Sequence, residues 1–191
     1  MARADDAAQV QAIYAPLVRA TAVSFEVDPP DAAEMRRRIE GTLGRLPWLV
    51  CARDREVLGF AYAAPHRERA AYRWSVEVSA YVAVGARRAG VGRGLYGALL
   101  ELLTAQGFVS AYAGITLPNP ASVGLHRAAG FAPVGVYRAA GFKLGAWHDV
   151  GWWQRPLRDP PASPRPPVRL PALPEPAVRQ ALARGVARLG R

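Results

Sequence analysis

Cysteine is nearly absent from this sequence, and so are long apolar runs. Cys51 is the only cysteine, so no intramolecular disulfide can form, which fits a reducing compartment. No stretch approaches the roughly 18 apolar residues that a membrane-spanning helix requires. The N-terminus has early acidic residues where a signal peptide would have an apolar segment. We therefore expect a protein of the cytoplasm that has no membrane partner.

Lysine is equally scarce. Lys143 is the only one, so arginine carries nearly all the positive charge behind the formal net charge of +10. A basic balance suggests anionic partners, such as nucleic acid, a membrane surface or phosphorylated small molecules. Residues 158–191 contain seven arginines and two acids, which gives 7 − 2 = +5, half of the net charge. The rest of the chain is therefore less basic than the total implies, which weakens a nucleic-acid interpretation.

Composition divides the chain near residue 157. Residues 1–157 alternate helical spacing with β-prone runs, which predicts one α/β domain whose sheet has strands of mixed direction. The run from Trp74 to Val84 shifts its alternation near Ala80, which predicts a β-bulge, and an N–H group there could stabilise an oxyanion. Nine of the 17 prolines lie between residues 156 and 176. We therefore predict that residues 158–191 form a solvated, disordered tail with room for one short helix.

A glycine-rich turn before the predicted helix 92–106 is the first candidate site. Glycine permits positive φ and close approach to a ligand, and the first N–H groups of a helix are unpaired and carry the positive end of its dipole. A phosphate is a natural partner for them. The turn consists of Arg87, Arg88, Ala89, Gly90, Val91, Gly92, Arg93 and Gly94. The alternative is an ordinary turn with solvated arginines.

Two other glycine-rich phosphate-binding motifs are alternatives for this turn. Residues Gly92 to Gly97 match the dinucleotide pattern G-x-G-x-x-G. That pattern requires an acidic residue about 20 positions later, at the end of the next strand. The chain has Gly114-Ile115-Thr116 there, without a carboxylate. No Gly-Lys-Ser/Thr follows either, so the turn is not a nucleotide P-loop.

Two side chains near the turn are candidates for catalysis. Glu77 lies between Val76 and Val78 in an apolar strand, where a carboxylate is costly unless it is paired or faces a cleft. In a cleft it is a candidate general base, and the alternative is a structural ion pair. His126 lies on a short helix that Asn119 can cap. It is a candidate catalytic residue, with a structural histidine as the alternative.

Several motifs resemble one superfamily. Arg87-x-x-Gly90-x-Gly92 resembles the Q/R-x-x-G-x-G/A signature of the GNAT superfamily of N-acetyltransferases. Residues 125–131 resemble its second signature, with His126 where the superfamily usually has tyrosine. Segments similar to the phosphinothricin and methionine-sulfoximine N-acetyltransferases are Phe25-Glu26, Tyr72-x-Trp74-x-x-Glu77, 117–122, 138–143 and 147–154. The resemblance covers about residues 5–157 and not the tail.

The resemblance implies a fold and a co-substrate. The GNAT fold has a mixed, mostly antiparallel sheet that is splayed at the strand that binds acetyl-CoA and is flanked by helices. Acetyl-CoA would be the acetyl donor, and no metal would be needed. The backbone of the splayed strand would bind the pantetheine arm, and the glycine-rich turn would bind the pyrophosphate. The residues that would contact the coenzyme are Ala80, Tyr81, Val82, Arg87 through Gly94, Asn119 and Ser122.

The resemblance also implies the chemistry and the acceptor. Glu77 would be the general base, acting directly or through a water, and His126 would be a proton donor or a substrate ligand. The acceptor pocket would be lined by Phe25, Arg67, Arg69 and Tyr72. Arginines there favour a phosphinate or carboxylate. We expect acetyl transfer to a small anionic amino-acid analogue, such as phosphinothricin or methionine sulfoximine or sulfone, by a homodimer.

Two alternatives remain open. The same fold could act on a different small amine, although the arginines near Tyr72 argue against a polyamine. From another class, a basic nucleic-acid-binding module would also explain the net charge. Half of that charge lies in the proline-rich tail, which argues against such a module, and we expect no specific nucleic-acid partner.

Overall fold

The computed structural model describes residues 1–190, and these residues form five α-helices and one six-stranded sheet. The helices are α1 (Ala7–Ala20), α2 (Ala32–Leu43), α3 (Val91–Gln106), α4 (Pro120–Ala128) and α5 (Glu175–Val186). The strands are β1 (Trp48–Arg53), β2 (Glu56–Pro65), β3 (Ser75–Val82), β4 (Ser110–Leu117), β5 (Ala132–Lys143) and β6 (Ala146–Pro156). Within this range, no helix combines the length and apolarity needed to cross a membrane.

The strands follow the order β1-β2-β3-β4-β6-β5. Neighbouring strands are antiparallel except β3 and β4, which are parallel. The β3–β4 pairing begins with Ser75 opposite Ser110 and ends with Glu77 opposite Tyr112. Beyond that pair the two strands no longer share hydrogen bonds, so the sheet opens between them. The predicted mixed, mostly antiparallel and splayed sheet is therefore confirmed.

The predicted β-bulge near Ala80 is wrong. β3 pairs with β2 without interruption along its length, and the irregularity in this part of the sheet lies between Cys51 and Ala52 of β1. The shift in alternation has another cause. Because β4 leaves β3 at Glu77, residues 79–82 lose a neighbouring strand and are only half-buried. Strict alternation requires a uniformly covered face, which this end of β3 does not have.

The helices cover the two faces of the sheet differently. On one face, α3 packs its buried leucines, among them Leu99 and Leu102, against Val76 and Val78 of β3. On the other face, α1 and α2 pack on the half of the sheet that contains β1 and β2. The edge strand β5 is exposed along nearly its whole length. One end of the second face, next to β4 and β6, is therefore open for a functional site.

The C-terminal segment differs from the predicted disordered tail. The Gln106 Nε2 atom donates to the carbonyl of Val168 at 2.8 Å, and α5 then runs back along α3. The two helices meet at glycines: a Cβ on Gly185 would lie 2.7 Å from the carbonyl oxygen of Gly94. Val178, Ala181 and Leu182 of α5 also pack against the core, at a spacing that places them on one face of the helix. The division into a domain and a tail at residue 157 stays a prediction.

Candidate active site

The glycine-rich turn connects β3 to α3. Gly90 is the N-cap of α3, and its φ of +77° is a left-handed conformation that favours glycine. Arg88 also has a positive φ, of +63°. Within residues 1–190, the N–H groups from Arg88 to Arg93 have no hydrogen-bond acceptor. These free donors at the positive end of a 16-residue helix are suited to a phosphate group.

Three arginines add positive charge to this turn. Arg87, Arg88 and Arg93 are exposed, and none forms an ion pair with another of the described residues. Gly92 lies where α3 passes α4, since a Cβ on it would lie 3.1 Å from the side chain of Leu125. Glycine at this position therefore keeps space between the turn and α4, and the arginines leave the turn ready for an anion.

The opening between β3 and β4 begins next to this turn. Ala80, Tyr81 and Val82 pair with β2 on one side, and their other edge has no strand partner among residues 1–190. The phenol of Tyr81 packs on the second face of the sheet, 5.1 Å from the ring of Phe60. The backbone edge is therefore available to an extended ligand that offers amide groups, as a pantetheine arm does.

The first turn of α4 lies close to the same opening. Asn119 is its N-cap, and its Oδ1 atom accepts a hydrogen bond from the Ser122 N–H at 3.1 Å. The Asn119 Nδ2 atom has no acceptor within the described residues, so it can donate to a ligand. The Ser122 hydroxyl lies 3.3 Å from His126 Nδ1 and is partly engaged inside the helix. Asn119 is therefore the stronger of the two coenzyme contacts predicted here.

Glu77 lies where the β3–β4 pairing ends, and its side chain is 32% exposed. Its Oε1 atom lies 3.0 Å from His66 Nδ1 and 3.0 Å from a terminal nitrogen of Arg67. Its Oε2 atom has no hydrogen-bond partner within residues 1–190. The carboxylate is thus held through one oxygen and free at the other. This geometry combines the two interpretations of Glu77, a paired carboxylate and a candidate base.

His66 was missed by the sequence analysis. Its ring stacks on Tyr112 of β4 at a centroid distance of 4.3 Å, and its side chain is 12% exposed. The hairpin register places Ala64 opposite Glu77, so His66 follows the paired strand closely and can turn back to the carboxylate. The signal was present in the sequence as a histidine just after a predicted strand, but only the register assigns it to Glu77.

His126 is almost completely buried, at 5% exposure. Its Nδ1 atom lies 2.8 Å from the Ser122 carbonyl, which can only accept, so Nδ1 carries the hydrogen. Nε2 then accepts from the Tyr96 hydroxyl at 2.8 Å. Burial lowers the pKa of His126 and raises that of Tyr96. Both nitrogens are therefore engaged, and the predicted role of His126 as a substrate ligand is not what this geometry provides.

The predicted acceptor residues fall into two groups. Arg67, Arg69 and Tyr72 line one cavity of about 440 Å³ beside the connection from β2 to β3. Phe25 lies apart from them, with its ring packed over Gly141, where a Cβ would clash with it. The structure therefore brings three of the four residues together, while Phe25 lies at the other end of the open sheet face.

The loop that carries Phe25 is held by two polar anchors. The Lys143 Nζ atom, which is buried, donates to the carbonyl of Ser24 at 2.6 Å. Glu26 forms an ion pair with Arg38 of α2 at 2.7 Å. Lys143 has no predicted role in the site, although it is unusual as the only lysine of the chain. These anchors fix the position of Phe25 relative to β5.

The two candidate catalytic residues lie on opposite faces of the sheet. The Glu77 side chain faces away from buried Val76 and Val78, whereas His126 packs against Tyr96 of α3. The gap between β3 and β4 connects the two faces. Within residues 1–190, no group of three or more His, Cys, Asp and Glu side chains is placed to hold a metal ion. The structure has a carboxylate with one free oxygen where the sheet opens, and a turn with unpaired N–H groups at the start of α3.

Comparison with known proteins gives matches over most of the chain. The model of the acetyltransferase (GNAT) domain matches residues 1–152. The phosphinothricin N-acetyltransferase of Streptomyces viridochromogenes is 44% identical over 165 residues, which cover 86% of this chain and 90% of the relative. The L-methionine sulfoximine/L-methionine sulfone acetyltransferase of Pseudomonas paraeruginosa is 34% identical over 156 residues, covering 81% and 90%.

A solved structure agrees with these relatives. The phosphinothricin acetyltransferase of Sinorhizobium meliloti, a GNAT superfamily protein solved in complex with AcCoA, superposes with a TM-score of 0.82. It is 38% identical, and the match covers 90% of this chain and 95% of the other.

Proposed function

Because this chain belongs to the GNAT family of acetyltransferases, we propose that it acetylates the amine of a small, anionic amino-acid analogue, with acetyl-CoA as the donor. Phosphinothricin and methionine sulfoximine or sulfone, the acceptors named for its relatives, are the first candidates. The observation that carries the proposal is the position of Glu77 and Arg67, a free carboxylate oxygen next to a guanidinium, at the point where the sheet opens.

The residues around the opening fit acetyl-CoA. The free N–H groups and arginines of the turn would hold the pyrophosphate, and the unpaired edge of residues 80–82 would hold the pantetheine arm. Asn119 would donate to the arm from the opposite side. The bound thioester supplies an electrophilic carbonyl at the end of the arm. This arrangement would direct that end toward the last β3–β4 pair, where Glu77 lies.

Glu77 would act as the general base. An acceptor amine arrives protonated and must lose a proton before it can attack a thioester carbonyl. The Oε2 atom is free to take that proton directly or through a water, while His66 and Arg67 hold Oε1 in position. Because the edge of β3 beyond Glu77 is unpaired, its N–H groups are placed to stabilise charge that develops on the carbonyl oxygen.

Arg67 and Arg69 would bind the anionic group of the acceptor. A guanidinium has five N–H donors, and one terminal nitrogen of Arg67 is used for Glu77 and the His66 carbonyl. The remaining donors of Arg67 can bind a carboxylate or phosphinate in two-point geometry. Arg69 lines the same cavity of about 440 Å³. An anion held by Arg67 would keep the amine of the same molecule near Glu77, because Arg67 itself contacts that carboxylate.

His126 would act on position rather than on the proton. Its hydrogen bond to Tyr96 joins α4 to α3, and these two helices border the proposed coenzyme site. We propose that this contact sets the distance between the glycine-rich turn and Asn119. A proton for the departing thiolate would then come from solvent or from the acceptor side of the cleft.

The protein would act as a homodimer in the cytoplasm. Large apolar side chains are exposed on the β5–β6 hairpin next to the open sheet face, namely Val134 (60%), Tyr137 (55%), Phe142 (60%) and Trp147 (66%). Exposed apolar side chains grouped on one hairpin support a protein–protein contact. A second copy would cover the open face on which Trp152 and Arg67 lie.

The test is an acceptor screen with the purified protein. Release of the coenzyme thiol is measured with phosphinothricin, methionine sulfoximine, methionine sulfone, unmodified amino acids and a polyamine. Glu77→Gln should lower kcat by about a hundredfold or more, the usual size of a general-base contribution, with unchanged acetyl-CoA binding. Glu56→Gln, at an exposed carboxylate on β2, is the matched control. Full activity of Glu77→Gln at neutral pH would exclude Glu77 as the base.

A further inference from the structure

The end of the C-terminal segment lies on the glycine-rich turn. The Gly190 N–H donates to the carbonyl of Ala89 at 3.2 Å. A Cβ on Gly90 would lie 2.8 Å from the carbonyl oxygen of Arg188. The residues that follow α5 therefore touch the part of the chain that is best suited to bind phosphate.

The Arg188 side chain packs against α3. It crosses the helix at Gly97, where a Cβ would lie 2.9 Å from Arg188 Cδ and 3.1 Å from Nη1. Because glycine has no Cβ, it leaves space at this position for the arginine side chain. Arg188 and Arg93 both line a cavity of about 360 Å³, with Ala128 and Ala129 of the α4 end as the other lining residues.

A third arginine lies beside this cavity. Arg155, at the end of β6, donates to the carbonyl of Ala129. Burial and the positive charge of Arg188 both lower the pKa of Arg155. The nearby carboxylate, Glu101, pairs with Arg184 at 2.8 Å. Within residues 1–190, Arg93 and Arg188 have no carboxylate partner. The cleft therefore contains two guanidinium groups whose positive charge no acidic side chain neutralises.

We propose that the cleft lined by Arg93 and Arg188, with Arg155 beside it, binds the 3′-phosphate at the nucleotide end of coenzyme A. The proposal rests on the proposed use of acetyl-CoA at the adjoining turn. Arg93 belongs to both the turn and the cleft, so a ligand whose pyrophosphate lies on the turn continues toward the cleft. The only other phosphate of coenzyme A is the monoester on its ribose, which matches the guanidinium groups in charge and geometry.

The docking of α5 thereby becomes part of coenzyme recognition. Gly94 and Gly185 bring α5 close enough to α3 for Arg188 to reach the cleft. The two alanines at the end of α4 leave the cleft wide enough for a nucleotide. A segment outside residues 1–152, the part matched by the family model, would thus supply one side of the site.

The test compares coenzyme A with 3′-dephospho-coenzyme A by calorimetric titration of the full chain without any acceptor. The natural chain should bind coenzyme A about tenfold more tightly, as expected for one charged hydrogen-bonded contact. Arg188→Gln should lose about tenfold in affinity for coenzyme A and nothing for the dephospho form. An equal loss for both ligands, or no loss for either, would overturn the proposal.

Two further variants complete the experiment. Arg184→Gln removes a charge one turn earlier on α5, where Arg184 pairs with Glu101, and should leave both affinities unchanged. Gly185→Leu should push α5 away from α3 and reproduce the loss seen for Arg188→Gln, and retained selectivity would contradict the role of α5. The titration contains no acceptor, so its result is independent of the acetylation assay. A chain that acetylates an acceptor in the screen but binds coenzyme A and 3′-dephospho-coenzyme A equally would disprove the cleft and leave the proposed function standing.

Discussion

The assignment of His126 to a structural rather than a chemical role can be tested with one substitution. His126→Phe keeps a ring of similar shape in the buried space between Tyr96 and Phe131. It removes the acceptor of the Tyr96 hydroxyl, which lies 2.8 Å from Nε2 in the natural chain. The Ser122 carbonyl is less affected, because it lies within α4, where a backbone N–H can also reach it.

The size of the effect follows from the burial of this contact. A buried hydroxyl left without a partner costs about 1–3 kcal/mol, so His126→Phe should lower the free energy of unfolding by about that amount. Tyr96→Phe should do the same, because it leaves Nε2 without a donor. The double variant should cost less than the sum of the two, since removing both partners leaves no buried polar group unpaired.

The same substitution should also change how the free energy of unfolding depends on pH. The pKa of His126 is lowered from 6.5 in the folded chain, so the unfolded chain binds more protons just below that pH. Stability should therefore fall as the pH drops below 6.5, by at most about 1.4 kcal/mol per pH unit, and level off below the folded pKa. Urea unfolding of the natural chain and His126→Phe at a series of pH values measures this difference, which the variant should lack.

The effect of His126→Phe on kcat distinguishes a structural role of His126 from a role as proton donor. A general acid contributes about 10²–10⁴ to the rate, whereas a residue that only joins α4 to α3 should change kcat by less than about tenfold. Turnover of acetyl-CoA with the best acceptor of the screen gives the ratio. A hundredfold loss of kcat in a variant of unchanged stability would refute the structural role and restore His126 as the proton donor.

Two further predictions concern residues that border the site. Asn119→Ala should lower the free energy of unfolding by about 1 kcal/mol through loss of the α4 cap and also weaken acetyl-CoA binding. Asn119→Asp should keep the cap but not the Nδ2 donor, so calorimetry that shows natural affinity for Asn119→Asp would argue against a direct coenzyme contact. Lys143→Met should raise the KM for the acceptor and leave that for acetyl-CoA unchanged, since Lys143 holds the Ser24 carbonyl next to Phe25. Steady-state kinetics that show equal changes in both KM values would argue against a role of the loop that carries Phe25 in acceptor binding.

Much of the architecture follows from short-range signals in the chain. The glycines and arginines from Arg87 to Gly94 predict an anion site because a helix start leaves its N–H groups unpaired. Asn119 is recognisable as a cap, and Glu77 as a carboxylate in an apolar strand. These features depend on residue type and on neighbours only a few positions away, so the sequence alone reveals them.

The tertiary structure decided what each of these groups meets. His66 reaches Glu77 through the register of a hairpin, and Tyr96 reaches His126 through the packing of α4 on α3. The phase shift at Ala80 predicted a bulge, whereas its cause is the departure of β4 from the sheet. The register between two strands and the point at which they separate are properties of the pair. The residue pattern of either strand alone does not reveal them.

The C-terminal segment shows the same limit most clearly. Its prolines and arginines predict a solvated tail, because neither residue type forms an apolar face. In the structure, Gly185 of α5 meets Gly94 of α3, and Val178, Ala181 and Leu182 of α5 pack against the core. Sequence thus determined where the helices begin and which groups are charged. Only the fold decided that Arg188 lies beside Arg93, because a contact between two elements far apart in the chain belongs to the pair and not to the sequence pattern of either one.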